Sequence, residues 1–194
     1  MKNILIIKGN PKEKSFGNEL VDRYIQGAKK AGHGVECMRI ADLQLSQYLY
    51  EGFDGKVELS DELVAVQEKI VKADHLVFAY PLWWGTSPAI MKLFIEVVFQ
   101  SGFAFKYHPP KGKKVSWDKL LENKSARLLV TMDSPTWYYT WFVGDPSYKM
   151  MKNSILNFCG VKPVKKNYFG SVKMSCEKQR KIWLEKSYEI GLHE

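Results

Sequence analysis

The chain reads as an α/β protein: an open parallel sheet of five strands in the order 2-1-3-4-5, with helices on both faces in a three-layer sandwich. Three observations predict this. Apolar runs of strand length alternate along the chain with longer amphipathic runs. Strands separated by helices imply parallel pairing through right-handed crossovers. The 194 residues suit one domain, residues 1–194, and 45% hydrophobic composition is enough for a core.

The first strand is Asn3–Lys8, a short apolar run with one early lysine. It lacks the longer apolar segment and small-residue cleavage site of a signal peptide. Helix one is expected over about Gly17–Ala31, stopped by Gly32. Strand two is Val35–Ile40. Helix two, Ser60–Lys72, has Ser60 as its cap and acids Asp61 and Glu62 in its first turn, where the helix dipole favours them. Strand three is His75–Tyr80, and helix three is Pro88–Gln100, with the proline in the first turn where it costs no hydrogen bond. Strand four is Ala126–Met132. Helix four, Pro146–Cys159, stops at Gly160. Strand five is Asn167–Val172 and helix five Cys176–Ile190. Two longer segments without periodicity remain, Gln44–Leu59 and Ser101–Ser125. Long loops in compact domains are often functional.

Composition excludes several classes. The net charge of +8 permits nucleic acid, a membrane surface or a small anion as partner. Its denser lysine groups, Lys111/Lys113/Lys114 and Lys162/Lys165/Lys166, read as solvated surface. No nucleic-acid-binding motif accompanies them, so no nucleic acid is expected. No apolar run of about 18 residues exists, so no membrane insertion is expected. Cys37, Cys159 and Cys176 are odd in number and widely spaced, without a CxxC pair or a Cys/His cluster. That pattern suits a reducing cytoplasm, no metal site, and Cys159 as a packed core thiol. An anionic cofactor accounts for the charge as well as any other partner does.

Ligands of such sheets bind beyond the carboxyl ends of the strands. Three loops leave from there. The first, Gly9–Asn18, enters helix one, whose start offers free N–H groups and a positive dipole end for phosphate. Ser15 and Asn18 add side-chain donors. An ordinary turn with a serine cap reads equally well. The second loop lies in Tyr80–Phe94, YPLWWGTSPAIMKLF. Its adjacent tryptophans suit a flat, stackable ligand, and its backbone can hydrogen-bond the edge of a heterocycle. Core or interface packing of those indoles is the competing reading. The third, Thr131–Phe142, holds five aromatics in six residues and reads as a substrate wall or a packed lid. Tyr138 and Tyr139 are the candidate catalytic groups there, as hydrogen-bond donors to a developing oxyanion.

Conventional catalytic sets are missing. No GxSxG elbow appears, and His33, His75, His108 and His193 have no nucleophile partner in sequence. His75 and His108 read as structural. A ligand-shaped fold without an acid/base set points to a cofactor that carries the reaction.

YPLWWGTSPAIMK resembles the PLxWxxxPAxxK segment of the NAD(P)H:quinone oxidoreductase family with flavodoxin-like fold. That family includes mammalian quinone reductases, modulator-of-drug-activity proteins and ancillary flavoproteins of potassium-efflux systems. Lys14–Asn18 is similar to the family's first phosphate loop and Gln67 to a residue of its second helix. Gly102-Phe-Ala-Phe105 and Asn157-Phe-Cys-Gly160 are similar to two further family stretches. The likeness spans nearly the whole chain. It departs where the family's TTGG reads Thr131-Met132-Asp133-Ser134, and Trp141 stands roughly where quinone reductases place a histidine.

The resemblance implies a noncovalent flavin, FMN or FAD, with NADPH or NADH as co-substrate. The phosphate would meet Ser15, Phe16 and Asn18. The ring edge would meet Pro81, Leu82, Trp83, Trp84 and Gly85, and the far side Thr131, Met132, Asp133 and Ser134. It implies ping-pong reduction of a small-molecule electron acceptor such as a quinone, in a pocket built by a homodimer. Two alternatives compete: a flavodoxin-like electron carrier, and a regulatory flavoprotein subunit of a transporter. Carriers of the first kind are typically acidic, which the +8 charge opposes.

Overall fold

The computed structural model describes residues 1–45, 58–110, 112 and 114–194. Most of Gln44–Leu59, together with Lys111 and Lys113, lies outside the described residues. Among the described residues, seven strands and the α-helices between them follow in order: β1 (Asn3–Lys8), α1 (Phe16–Lys30), β2 (Gly34–Arg39), α2 (Asp61–Lys72), β3 (His75–Pro81), α3 (Ala89–Val98), β4 (Phe105–Tyr107), β5 (Trp117–Lys119), β6 (Ser125–Thr131), α4 (Thr136–Trp141), α5 (Pro146–Lys149), α6 (Asn157–Cys159), β7 (Val164–Phe169) and α7 (Glu177–Leu192). Five of these strands form one parallel sheet, β2-β1-β3-β6-β7. Counting only its own strands, the order is the expected 2-1-3-4-5.

The central strands β1, β3 and β6 are covered on both faces. Their residues Ile4–Ile7, Leu76–Tyr80 and Ala126–Val130 therefore read as continuous apolar runs, except that Arg127 interrupts the last. One face packs α2, α3 and the Pro146–Cys159 segment around Phe78, Phe94, Leu128 and Met151. The other packs α1 and α7 around Ile6, Tyr24, Val77 and Phe169. Ser60 caps α2 as expected, its hydroxyl accepting from the Leu63 N–H at 3.4 Å. Gln67 ties α2 to α3 by donating to the Val98 carbonyl at 2.9 Å.

Three expectations need adjustment. The fifth sheet strand runs Val164–Phe169, not Asn167–Val172. It is an edge strand carrying Lys165, Lys166 and Asn167, so the continuous apolar signature of a buried strand is absent. The helix expected over Pro146–Cys159 is α5 and α6 joined by a π-helical stretch, Met150–Leu156. Periodicity does not distinguish wider turns from α turns over so few residues. The segment Ser101–Ser125 carries a two-stranded antiparallel ribbon, β4 with β5, where Trp117 stacks on Phe158 with centroids 4.7 Å apart.

No helix among the described residues is long and apolar enough to cross a membrane. Cys159 is buried, and burial pushes its thiol up to about 12, which fits a core thiol. His75 is buried against Ser125, and exposed His108 pairs with Asp118 at 2.9 Å.

Candidate functional site at the carboxyl edge of the sheet

The three predicted loops converge at the carboxyl ends of β1, β3 and β6. Hydrogen bonds and close contacts tie them into one edge. Leu82 N–H donates to the Thr131 carbonyl at 2.7 Å, joining the second loop to the third. A methyl built on Gly17 would lie 3.7 Å from the Thr131 hydroxyl, so the first loop sits against the third. Between them runs a narrow cleft lined by Asn10, Gly17, Asn18, Pro81 and Thr131.

The first loop is closed by its own side chains. Ser15 caps α1, its hydroxyl accepting from the Asn18 N–H at 3.2 Å and from the Asn10 amide at 3.0 Å. Asn18 in turn donates its side-chain amide to the Lys12 and Glu13 carbonyls. Both predicted polar residues thus shape the loop. Phe16 and Gly17, in the first helical turn, keep N–H groups without an acceptor among the described residues. Arg180 sits over the Phe16 ring with its guanidinium 5.4 Å from the centroid. Sequence reasoning missed Arg180: it is one cation among several on α7, and only the α1–α7 packing brings it to this loop.

The second loop is a tight turn, Trp83–Thr86. Trp83 N–H donates to the Thr86 carbonyl at 2.9 Å and Thr86 N–H to the Trp83 carbonyl at 3.0 Å. Trp84 and Gly85 both take positive φ, 51° and 79°. That is the primed form of two-residue turn, which glycine adopts freely and tryptophan does not. The Trp84 indole is fully exposed and Trp83 is half-exposed. The N–H groups of Trp84 and Gly85 have no acceptor among the described residues.

The third loop contains the short helix α4. Its periodicity sorts the aromatics: Tyr139 faces inward and is 2% exposed, while Trp137, Tyr138, Trp141 and Phe142 stay exposed. Tyr138 stacks on Phe142 at 5.9 Å. Two expectations for this loop change. Tyr139 is no free proton donor, because its hydroxyl already donates to the Gly85 carbonyl at 2.7 Å and accepts from the Ser147 N–H at 3.0 Å. Met132 turns its side chain into the core, and its N–H and carbonyl are bound to Phe169 and Val172. Asp133 accepts from the Lys173 N–H, leaving the N–H groups of Asp133 and Ser134 free among the described residues.

Beneath the turn lies a buried polar network the sequence did not reveal. Asp145 has φ 59° and is buried, and its carboxylate accepts from the Lys166 ammonium and the Tyr168 hydroxyl. Lys166, expected on the solvated surface, is therefore a paired cation. Ser147 is fully buried and shares a 3.0 Å hydrogen bond with the Tyr80 hydroxyl.

The narrow cleft lies between the first and third loops, and exposed aromatic groups stand on the second and third loops of the same sheet edge. Unpaired N–H groups wait at a helix start, on a tight turn beyond β3 and after β6. These are the donors a phosphate and a heterocycle edge require. A flavin fits these residues. A family model described as flavodoxin-like fold matches residues 2–187, so the chain belongs to that family. An uncharacterized NAD(P)H oxidoreductase of Haemophilus influenzae is 29% identical over 94% of this chain and 91% of its own length. FMN-dependent NADH:quinone oxidoreductase 4 of Bacillus cereus is 29% identical over 70% of this chain and 73% of its own. The crystal structure of Smu.1420 from Streptococcus mutans superposes with a TM-score of 0.80 at 28% identity, covering 99% of this chain and all of that one.

Proposed function

We propose that this protein is an NAD(P)H-dependent flavin oxidoreductase that reduces quinones or related flat electron acceptors, with FMN, or FAD in its place, as the bound flavin. The observation that carries the reading is the presence of unpaired backbone donors on three loops at one edge of the sheet. The names of the relatives support it. Phe16 and Gly17, with Ser15 and Asn18 shaping the loop, would hold the phosphate. Pro81 to Gly85 would meet the ring edge, with Trp84 and Gly85 as donors. Thr131 and the Asp133–Ser134 backbone would meet the far side. A flavin bound there would supply two-electron hydride chemistry between a nicotinamide and the acceptor. Tyr138, exposed beside the turn-bearing edge, is the free phenol positioned to donate to a substrate oxygen. Trp84, Trp137, Trp141 and Phe142 are exposed on the second and third loops. They support a homodimer whose second copy completes the acceptor pocket, and the free cysteines support a place in the cytoplasm.

Purified protein reconstituted with FMN will be yellow, will bleach anaerobically on addition of NADH or NADPH, and will reoxidise at once with a soluble quinone. Its sedimentation mass will be twice that of the chain. A protein that stays colourless with both FMN and FAD refutes the reading. Bleaching by dithionite but by neither nucleotide makes it an electron carrier instead.

A further inference from the structure

The turn that carries the Trp84 and Gly85 donors is held weakly by itself. It projects past the end of β3, is closed by its own two hydrogen bonds, and places a tryptophan at positive φ. One further hydrogen bond reaches it from below, from the Tyr139 hydroxyl to the Gly85 carbonyl at 2.7 Å. The direction of that bond is fixed. Ser147 N–H can only donate, so it occupies a lone pair of the Tyr139 oxygen, and the single phenolic proton goes to Gly85. Tyr139 is itself immobilised. Its ring meets the Tyr168 ring edge-on at 5.9 Å, and its carbonyl accepts from the Asp145 N–H at 3.2 Å. Asp145 is anchored by Lys166 and Tyr168 on β7.

We propose that Tyr139 is a positioning residue: its buried hydroxyl clamps the Gly85 carbonyl and so sets the height and tilt of the turn whose free N–H groups meet the flavin ring. The inference rests on the flavin reading above. The Gly85 carbonyl belongs to the Gly85–Thr86 peptide. Holding it fixes ψ of Gly85, the residue in the turn with the widest backbone freedom. Donors fixed in advance bind a ring more tightly than donors that must be ordered on binding. They also favour the reduced ring, which carries more negative charge along its edge. Tyr139 therefore acts through the turn and touches no substrate.

The test compares Tyr139→Phe with Tyr24→Phe, whose hydroxyl donates to Glu194 at the opposite edge of the sheet. Each removes the phenolic O–H of a buried tyrosine and keeps the ring. FMN affinity is read by flavin fluorescence and the midpoint potential of bound FMN by dye-coupled titration. In Tyr139→Phe, Kd rises about fivefold, the worth of one net hydrogen bond, and the potential moves negative. In Tyr24→Phe, the melting temperature falls while Kd and potential stay at the wild-type values. Wild-type protein that binds no flavin refutes the proposed function, and the clamp with it. Wild-type binding with an unchanged Kd and potential in Tyr139→Phe overturns the clamp alone. Equal shifts in both variants reduce Tyr139 to a structural residue and also overturn it. Should Tyr139→Phe not fold, amide exchange in the unsubstituted protein decides. FMN must slow exchange at Trp84 and Gly85, and unslowed exchange overturns the proposal.

Discussion

Trp84 shows how one residue can serve a site at the expense of its own conformation. A non-glycine residue in the left-handed region costs on the order of 1 kcal/mol or more. Its indole is fully exposed and returns nothing by burial in the chain. Trp117, by contrast, stacks on Phe158 and donates its indole N–H to the Phe158 carbonyl at 3.1 Å. Substitutions at the two positions should therefore part company. Trp84→Gly relieves the strained φ, offset by the entropy glycine adds to the unfolded chain, so stability stays within about 1 kcal/mol of wild type. FMN retention falls because a stacking surface is lost. Trp117→Ala costs about 2–3 kcal/mol of stability and leaves FMN retention intact. Urea titration and flavin fluorescence check the pair, and equal FMN affinity in both variants counts against the placement of the site.

Among the elements, α1 and α7 pack backbone to backbone, and two glycines allow it. A Cβ on Gly27 would lie 2.0 Å from the Tyr188 carbonyl oxygen, and one on Gly191 would lie 2.1 Å from the Tyr24 carbonyl oxygen. The contact seats α7 so that Arg180 reaches Phe16 and Ser187 donates to the Leu20 carbonyl at 2.6 Å. Helix propensity alone says Gly27→Ala stabilises by about 1 kcal/mol. The clash decides otherwise: forcing a methyl into packed backbone costs about 1–3 kcal/mol or more, so the net effect is destabilising. Chemical denaturation measures it. FMN affinity should fall with it, since the crossing supports the first loop. A stabilised Gly27→Ala protein would show that the helices do not meet so closely.

Across the whole molecule, the edge of the sheet opposite the site is closed by a second buried network. The Glu194 carboxylate, buried, accepts from Arg127 on β6 and from the Tyr24 hydroxyl on α1, and lies 3.4 Å from His75 Nε2 on β3. Arg127 also donates to Asn167 on β7 at 2.6 Å. Burial lowers His75 from 6.5 to about 4. The Glu194 carboxylate opposes that fall, and Lys2, Arg127 and Lys165 add to it. Burial works to raise the Glu194 carboxyl, but its hydrogen bonds to Arg127 and Tyr24 and the nearby charges hold it below the usual range. Both groups bind fewer protons folded than unfolded, so stability falls as pH falls. The His75 contribution is intact above pH 6.5 and lost between there and about pH 4, on the order of 3 kcal/mol. The Glu194 contribution goes at lower pH still. Melting curves from pH 7 to pH 4 should show the decline, and His75→Gln should flatten its upper part. A wild-type melting temperature constant from pH 7 to pH 5 refutes the assignment.

The sequence by itself determined the sheet order, the cap at Ser60, the stop at Gly160 and the place of the three loops at the carboxyl edge. Each of these is written in local patterns: apolar runs, helix starts, and glycine where the chain needs positive φ. The edge strand β7 blurred because its lysines mask the apolar run, and α4 because six residues are too few to show a period. Only the tertiary structure decided which side chains of those loops are free. Tyr138 and Tyr139 are neighbours in sequence and opposites in role, because α4 lays one outward and aims the other at Gly85. The bonds that matter span 54 residues from Tyr139 to Gly85 and 67 from Tyr80 to Ser147. Pairings over such distances are made by packing, and no local pattern in the chain records them.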